Sequence, residues 1–248
     1  MAQDDETQAE RGDLFFFYRL KIDASEPRGI DDVQRFHMVL RRADGKLFRL
    51  LTVGRKHLPD IAVHEREWGL VDLVTDEVEP IAEALRVQEY DTKTRGHRVN
   101  PAARPVGEGA YALARDRQGL HLSYRLELPA EPGEAQRALG IVAEATYRIS
   151  VKNPEVANPP NIGLREGERV RYPKAMQRRD FGARRFTGSD PHLLDFERTE
   201  FILIGASDEA GGEVDAKHRA PTAESVLRRL HLPKRVTPIA PLVEGEWA

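Results

Sequence analysis

From Leu120 to Leu128 every second residue is apolar: Leu120, Leu122, Tyr124, Leu126 and Leu128 alternate with His121, Ser123, Arg125 and Glu127. Successive side chains of an extended chain point to opposite faces, so this spacing makes a strand with one dry face and one wet face. The same alternation returns at Tyr147, Ile149 and Val151 against Arg148, Ser150 and Lys152, and at Phe16, Tyr18, Leu20 and Ile22 against Phe15, Phe17, Arg19 and Lys21. Repeated half-wet strands belong to an antiparallel sheet whose outer face is polar and carries arginine.

Punctuation along the chain divides the rest. Residues 36–40 and 46–53 flank Asp44-Gly45, a hairpin turn in which glycine accepts the positive φ. Residues 109–115 and 120–128 form a second hairpin around 116–119, and 68–74, 141–151 and 201–204 are further strands; the apolar run 201–204 suits a strand covered on both faces. The period changes at 78–86, where Val78, Ile81, Ala82 and Leu85 share a helical face, with Asp76 and Glu79 spaced as a capping box. Short helices are also expected at 132–139, at 173–179 and after Thr222, where Ala223, Val226, Leu227 and Leu230 line one face. Residues 92–106, with two prolines and no period, are expected to be a long loop.

The chain is therefore predicted to be α+β: a mainly antiparallel β-sheet of about seven to nine strands with a few short helices, a curled or barrel-like sheet being the alternative to an open one. At 248 residues, one domain over 13–232 suffices, preceded by a disordered acidic tail (1–12) and followed by an extended proline-containing arm (233–248). The core is expected to hold Leu20, Ile22, Leu50, Val71, Ile81, Leu85, Leu122, Tyr124, Leu126, Ile149, Val151, Ile202, Ile204 and Leu227.

Composition excludes several classes. A hydrophobic fraction of 40% with 32% charged residues describes a globular chain, not a disordered one. No apolar run approaches the ~20 residues of a membrane span. The start, MAQDDETQAERG, lacks the basic and apolar regions of a secretory signal, which points to the cytoplasm. Without cysteine there are no disulfides, thiolate nucleophiles, cysteine-ligated zinc sites or thiolate-held iron–sulfur clusters.

His121 and Ser123 fall on one face of their strand, the placement from which a histidine and a hydroxyl could serve a phosphoester. A paired motif is missing, because His37-Met38-Val39 has valine at the hydroxyl position. His57, His64, Glu65 and Glu67 lie close in sequence but show neither HExxH nor His-x-His spacing, so no metal site is expected there. Gly107-Glu108-Gly109 precedes a strand, whereas phosphate loops lie between a strand and a helix. No residue implies a cofactor.

Positive charge on the body is the stronger signal. Asp4, Asp5, Glu6 and Glu10 against Arg11 account for the whole net charge of −3, so the remainder is free to carry a basic surface. Within 165–185, Arg165, Arg169, Arg171, Lys174, Arg178, Arg179, Arg184 and Arg185 face only Glu166, Glu168 and Asp180, with Tyr172 and Phe181 interleaved and Phe186 just beyond. Lys93, Arg95, His97, Arg98 and Arg104 form a second basic stretch. Guanidinium groups bind phosphate bidentately and aromatic faces stack on unpaired bases. With Phe15 and Phe17 on an exposed sheet face, these residues favour a non-catalytic protein that binds a polyanion, RNA or single-stranded DNA.

The expected contacts are Arg95, His97, Arg98, Arg104, Arg171, Lys174, Arg178, Arg179, Arg184 and Arg185. Two alternatives are a hydrolase or phosphoesterase using His121 with Ser123, and a subunit of a homo-oligomer joined through the apolar C-terminal arm, where Ile239, Leu242, Val243 and Trp247 supply the contacts.

Overall fold

Two four-stranded antiparallel meanders close on each other to form the body of the molecule. The computed structural model describes residues 9–54, 56–94, 96–158, 163–210, 214, 222–235 and 237–248. Its strands, in chain order, are β1 (Glu10–Leu20), β2 (Val33–Arg42), β3 (Phe48–Val53), β4 (Arg66–Thr75), β5 (Gln88–Thr92), β6 (Gly96–Asn100), β7 (Arg104–Asp116), β8 (Gly119–Leu128), β9 (Glu144–Lys152), β10 (Phe186–Thr187) and β11 (Glu200–Ser207). Short helices are α1 (Glu79–Leu85), α2 (Glu134–Ala138), α3 (Lys174–Met176), α4 (Ala223–Arg229) and α5 (Ala240–Val243).

β1 to β4 form one meander and β7, β8, β9 and β11 the other, joined by the pairs β1–β7 and β4–β11, while β10 adds a short edge to β9. The result is a closed eight-stranded antiparallel barrel. The Asp44-Gly45 hairpin joins β2 to β3, with Arg41 opposite Phe48 and Gly45 at φ 69°.

Closure explains the alternation. Eight strands leave an interior just wide enough for side chains to fill. Phe16 stacks on Phe36 at 5.8 Å and meets Tyr124 edge-on at 5.2 Å; Tyr124 in turn stacks on Tyr147 at 6.3 Å. Gly69 provides room where it is needed, because a Cβ there would lie 2.2 Å from the Phe201 ring. A filled barrel has no lumen for a ligand, so any site must lie on the outside or at the two ends.

The outer face departs from expectation. Phe15 and Phe17 are fully buried, with Val39 and Leu50, under a layer formed by Ile81 and Leu85 of α1, Val226 and Leu227 of α4, and Leu242 of α5. They are core on a strand covered from both sides, not stacking platforms. Arg19 is buried too, and its guanidinium satisfies the carbonyls of Ala84 at 2.6 Å and Arg86 at 3.1 Å where α1 ends. Arg125 pairs with Glu144 at 2.6 Å, Arg148 donates to Gln118 at 2.8 Å, and Lys152 lies buried 3.8 Å from Glu200. These four cations are therefore scattered and engaged.

Several local expectations are corrected as well. Residues 92–106 are not a loop: β5 and β6 form a hairpin, and β7 begins at Arg104. This hairpin shows no apolar period because residues 88–91 are all exposed. The first turn of α1 has Val78 at its N-cap without a side-chain bond, so Asp76 and Glu79 make no capping box, whereas Thr222 does accept from the Ser225 amide at 3.2 Å. Ile22, Leu126, Ile202 and Ile204 are only half-buried. No helix among the described residues is long and apolar enough to cross a membrane.

Both barrel ends are plugged. At one, Arg49 is buried between Glu10 (2.9 Å) and Asp195 (2.8 Å), and the Tyr111 hydroxyl donates to Glu10 at 2.7 Å. Burial pushes the Glu10 carboxyl up, but the hydrogen bond and charge of Arg49 outweigh it and leave the group below its ordinary range. At the other end lie Leu58, Leu139 and the C-terminal arm, whose Trp247 ring meets Tyr18 at 5.2 Å while the Tyr18 hydroxyl donates to the Ala248 carbonyl at 2.7 Å. The arm contains α5 and lies on its own barrel. Phe16→Ala should lower the unfolding free energy by about 3–5 kcal/mol in chemical denaturation. Val63→Ser, at a residue 70% exposed, should change it by less than about 0.5 kcal/mol.

Candidate anion-binding groove

The segment between β9 and β11 closes one barrel end and carries the basic residues outward. Asn153 stops β9 and organises the turn: its amide reaches the Arg185 carbonyl at 2.9 Å, its side-chain NH2 reaches the Arg184 carbonyl at 2.9 Å, and its side-chain oxygen accepts from Gln177 at 2.7 Å. Tyr172 points inward. Its hydroxyl lies 2.9 Å from the Thr199 hydroxyl, and its ring packs on Phe181 and Phe196 at 5.5 and 5.2 Å. With Tyr172 held inside, its neighbours Arg171 and Pro173 are exposed, and α3 follows with Lys174 at the surface. A π-helical turn, Gln177–Phe181, then buries Asp180 and Phe181 and leaves Arg178 exposed.

These turns enclose a groove of about 710 Å³ lined by Arg169, Arg171, Lys174, Gln177 and Arg178, and also by Glu155 and Glu166. The side chains of Arg171, Lys174 and Arg178 have no ion pair or hydrogen bond among the described residues. The half-buried Arg169 guanidinium donates to the Pro154 carbonyl at 3.2 Å, which orients it without neutralising its charge. Four cations thus meet two carboxylates across one concavity, and three of them are uncommitted.

The remaining expected contacts lie elsewhere or are occupied. Arg179 is held by Asp180 at 2.8 Å and by Asp190; Arg184 donates to the Asp180 carbonyl at 2.9 Å; Arg185 lies over the Phe186 ring at 5.7 Å. On the β5–β6 hairpin, His97 lies between Glu89 (3.6 Å) and Asp91 (3.4 Å), and Arg98 pairs with Asp23 at 2.8 Å. Arg104 donates to the Ser25 carbonyl at 2.7 Å, and Arg95 lies outside the described residues. The structure therefore gathers Arg171, Lys174 and Arg178 and disperses the others. Arg169 and Gln177 are contributors whose role depends on the fold around Asn153; a positive charge at 169 was the only sequence signal for them.

His121 and Ser123 do share the outer face of β8, but Ser123 is bonded to the Thr146 hydroxyl at 2.8 Å and His121 lies 3.5 Å from Asp116. The other histidine on a barrel strand, His37, is on β2, with β1 and β7 between it and β8. No pair of imidazoles forms there.

His37 belongs to a separate buried chain in which the Thr52 hydroxyl bridges His37 Nδ1 at 2.8 Å and Asp72. Burial, then the charges of Arg19 and Arg35, drive the His37 imidazole down to about 3, and burial raises the Asp72 carboxyl. A neutral imidazole donates from Nδ1 to Thr52, which donates to Asp72. The cluster knits β2, β3 and β4 together.

The chain matches no protein family, no curated protein and no solved structure.

Because His37 has a lower proton affinity in the folded protein than the ~6.5 of an unfolded histidine, the unfolded chain takes up the proton first as pH falls. His37 therefore withdraws stability below about pH 6.5 and none above it. Urea denaturation should show wild type losing more stability between about pH 7 and pH 5 than His37→Gln loses.

Proposed function

We propose that this chain is a non-catalytic binding protein whose groove between residues 154 and 182 takes the phosphate backbone of a polyanion, RNA or single-stranded DNA. The observation that carries the reading is the convergence of Arg171, Lys174 and Arg178 on one concavity with no acidic partner of their own among the described residues. Uncommitted cations lose no internal salt bridge when a phosphate arrives, and each phosphate neutralised releases counterions. Guanidinium groups add bidentate geometry.

Tyr172 and Phe181 are buried and Phe186 is half-buried against Trp68 at 6.1 Å, so none of these aromatics offers a free face to a base. Recognition is accordingly by backbone charge and tolerant of sequence. Glu155 and Glu166 limit the groove to ligands that place phosphates away from them.

Fluorescence anisotropy with a labelled single-stranded oligonucleotide at low salt tests the assignment. Arg171→Ala with Arg178→Ala should weaken binding and make the slope of log affinity against log salt shallower by about two. Arg179→Ala, at a residue already committed to Asp180 and Asp190, should leave both nearly unchanged. Absence of binding at low salt, or a double variant that binds like wild type, would refute the reading.

A further inference from the structure

We propose that His57, Glu65 and Glu67 bind one divalent transition-metal ion at the barrel end opposite the basic groove. One nitrogen or oxygen from each of the three residues lies within 4.8 Å of the others. Ligands held at about 2.0–2.2 Å from a common ion lie up to roughly 4 Å apart, so modest side-chain movement completes the set.

The sequence shows no metal-ligand spacing here; barrel geometry makes the cluster. Glu67, 2% exposed, pairs with Leu203 and shares its inward face of the barrel, and Glu65 lies two residues earlier on the same parity. The Gly205 amide bonds to the Glu65 carbonyl at 3.1 Å, and Gly205 pairs with Tyr147 on the other side. Gly205 therefore separates Glu65 from Tyr147 without placing a side chain between them. A Cβ at 205 would approach the Asp60 carbonyl to 2.7 Å, so the β3–β4 connection folds close over this point. That connection carries His57 and is pinned where the Leu58 amide meets the Leu139 carbonyl at 2.9 Å.

Three observations support a ligand at this place. His57 Nδ1 lies 2.8 Å from the Leu58 carbonyl, which can only accept, so Nδ1 carries the proton and Nε2 keeps the lone pair a metal needs. The Tyr147 hydroxyl, on the neighbouring inward position, is buried and has no hydrogen-bond partner among the described residues. A cleft of about 840 Å³, lined by His57, Asp60 and Glu65, opens at the cluster and leaves a coordination position facing solvent. His64, whose Nδ1 lies 2.9 Å from the Gly205 carbonyl, is not among the residues whose ligand atoms come within 4.8 Å of one another. One imidazole nitrogen with two carboxylate oxygens suits Zn²⁺, and three protein ligands with an open fourth position is the arrangement that admits a water or an anionic ligand.

Calorimetric titration of the chelator-stripped full chain with ZnCl2 tests the site. Wild type should bind one equivalent, and His57→Ala and Glu65→Gln should each weaken it by at least about tenfold while circular dichroism stays unchanged. His97→Ala and His192→Ala, at the exposed histidines beside carboxylates, should leave it intact. No saturable zinc binding by wild type, or an equivalent retained by both His57→Ala and Glu65→Gln, overturns the proposal.

Discussion

The pairing of β4 with β11 is the constraint on which the architecture rests. Residues 66–70 and 200–204 face each other from Arg66 opposite Ile204 to Leu70 opposite Glu200, and join two meanders that lie far apart along the chain. With this seam open, both strands would present unpaired amides and carbonyls, and one side of the aromatic interior would be wet. Gly69 lets the seam close over the Phe201 ring. Once the barrel is shut its interior is filled, and a site is left only its outer surface and the plugs at its two ends.

Those plugs differ. The long connection from β9 to β11 rests on the buried Arg49 network and on Tyr172, Phe181, Leu193 and Leu194, so its outward cations stand on a fixed base. Burying Arg49 costs solvation that its two carboxylate partners and the hydrogen bond from Tyr111 to Glu10 offset, and loss of one partner would leave a charge stranded in the core. The opposite plug, built from the β3–β4 connection, α2 and the arm, gathers carboxylates and imidazoles beside Arg137. The molecule thus presents a cationic concavity at one end and, at the other, the imidazole and two carboxylates proposed to hold a metal.

Much of the barrel was legible in the alternation of β1, β8 and β9 and in the turn chemistry of Asp44-Gly45. Period two assigns side chains to faces but does not say what covers each face. Phe15 and Phe17 therefore read as exposed, although α1, α4 and α5 bury them. The β5–β6 hairpin was invisible because its solvated faces impose no apolar period. Local charge pointed to Arg171, Lys174 and Arg178, which the fold gathers along one groove, whereas Arg98 and Arg179 lose their availability to Asp23 and Asp190, partners that only the fold brings near. His57, Glu65 and Glu67 were visible as sequence neighbours without metal-ligand spacing; strand parity aligns the two carboxylates, and a loop returned over Gly205 brings the histidine to them.

Native-state hydrogen exchange across the β4–β11 seam is the most direct test of a closed barrel. Amides paired within 66–70 and 200–204 should be protected to the same degree as those between β8 and β9, opening only with global unfolding. Exchange at the seam as fast as in the exposed β5–β6 hairpin would mean an open sheet, and would contradict both the filled interior and the placement of sites outside it.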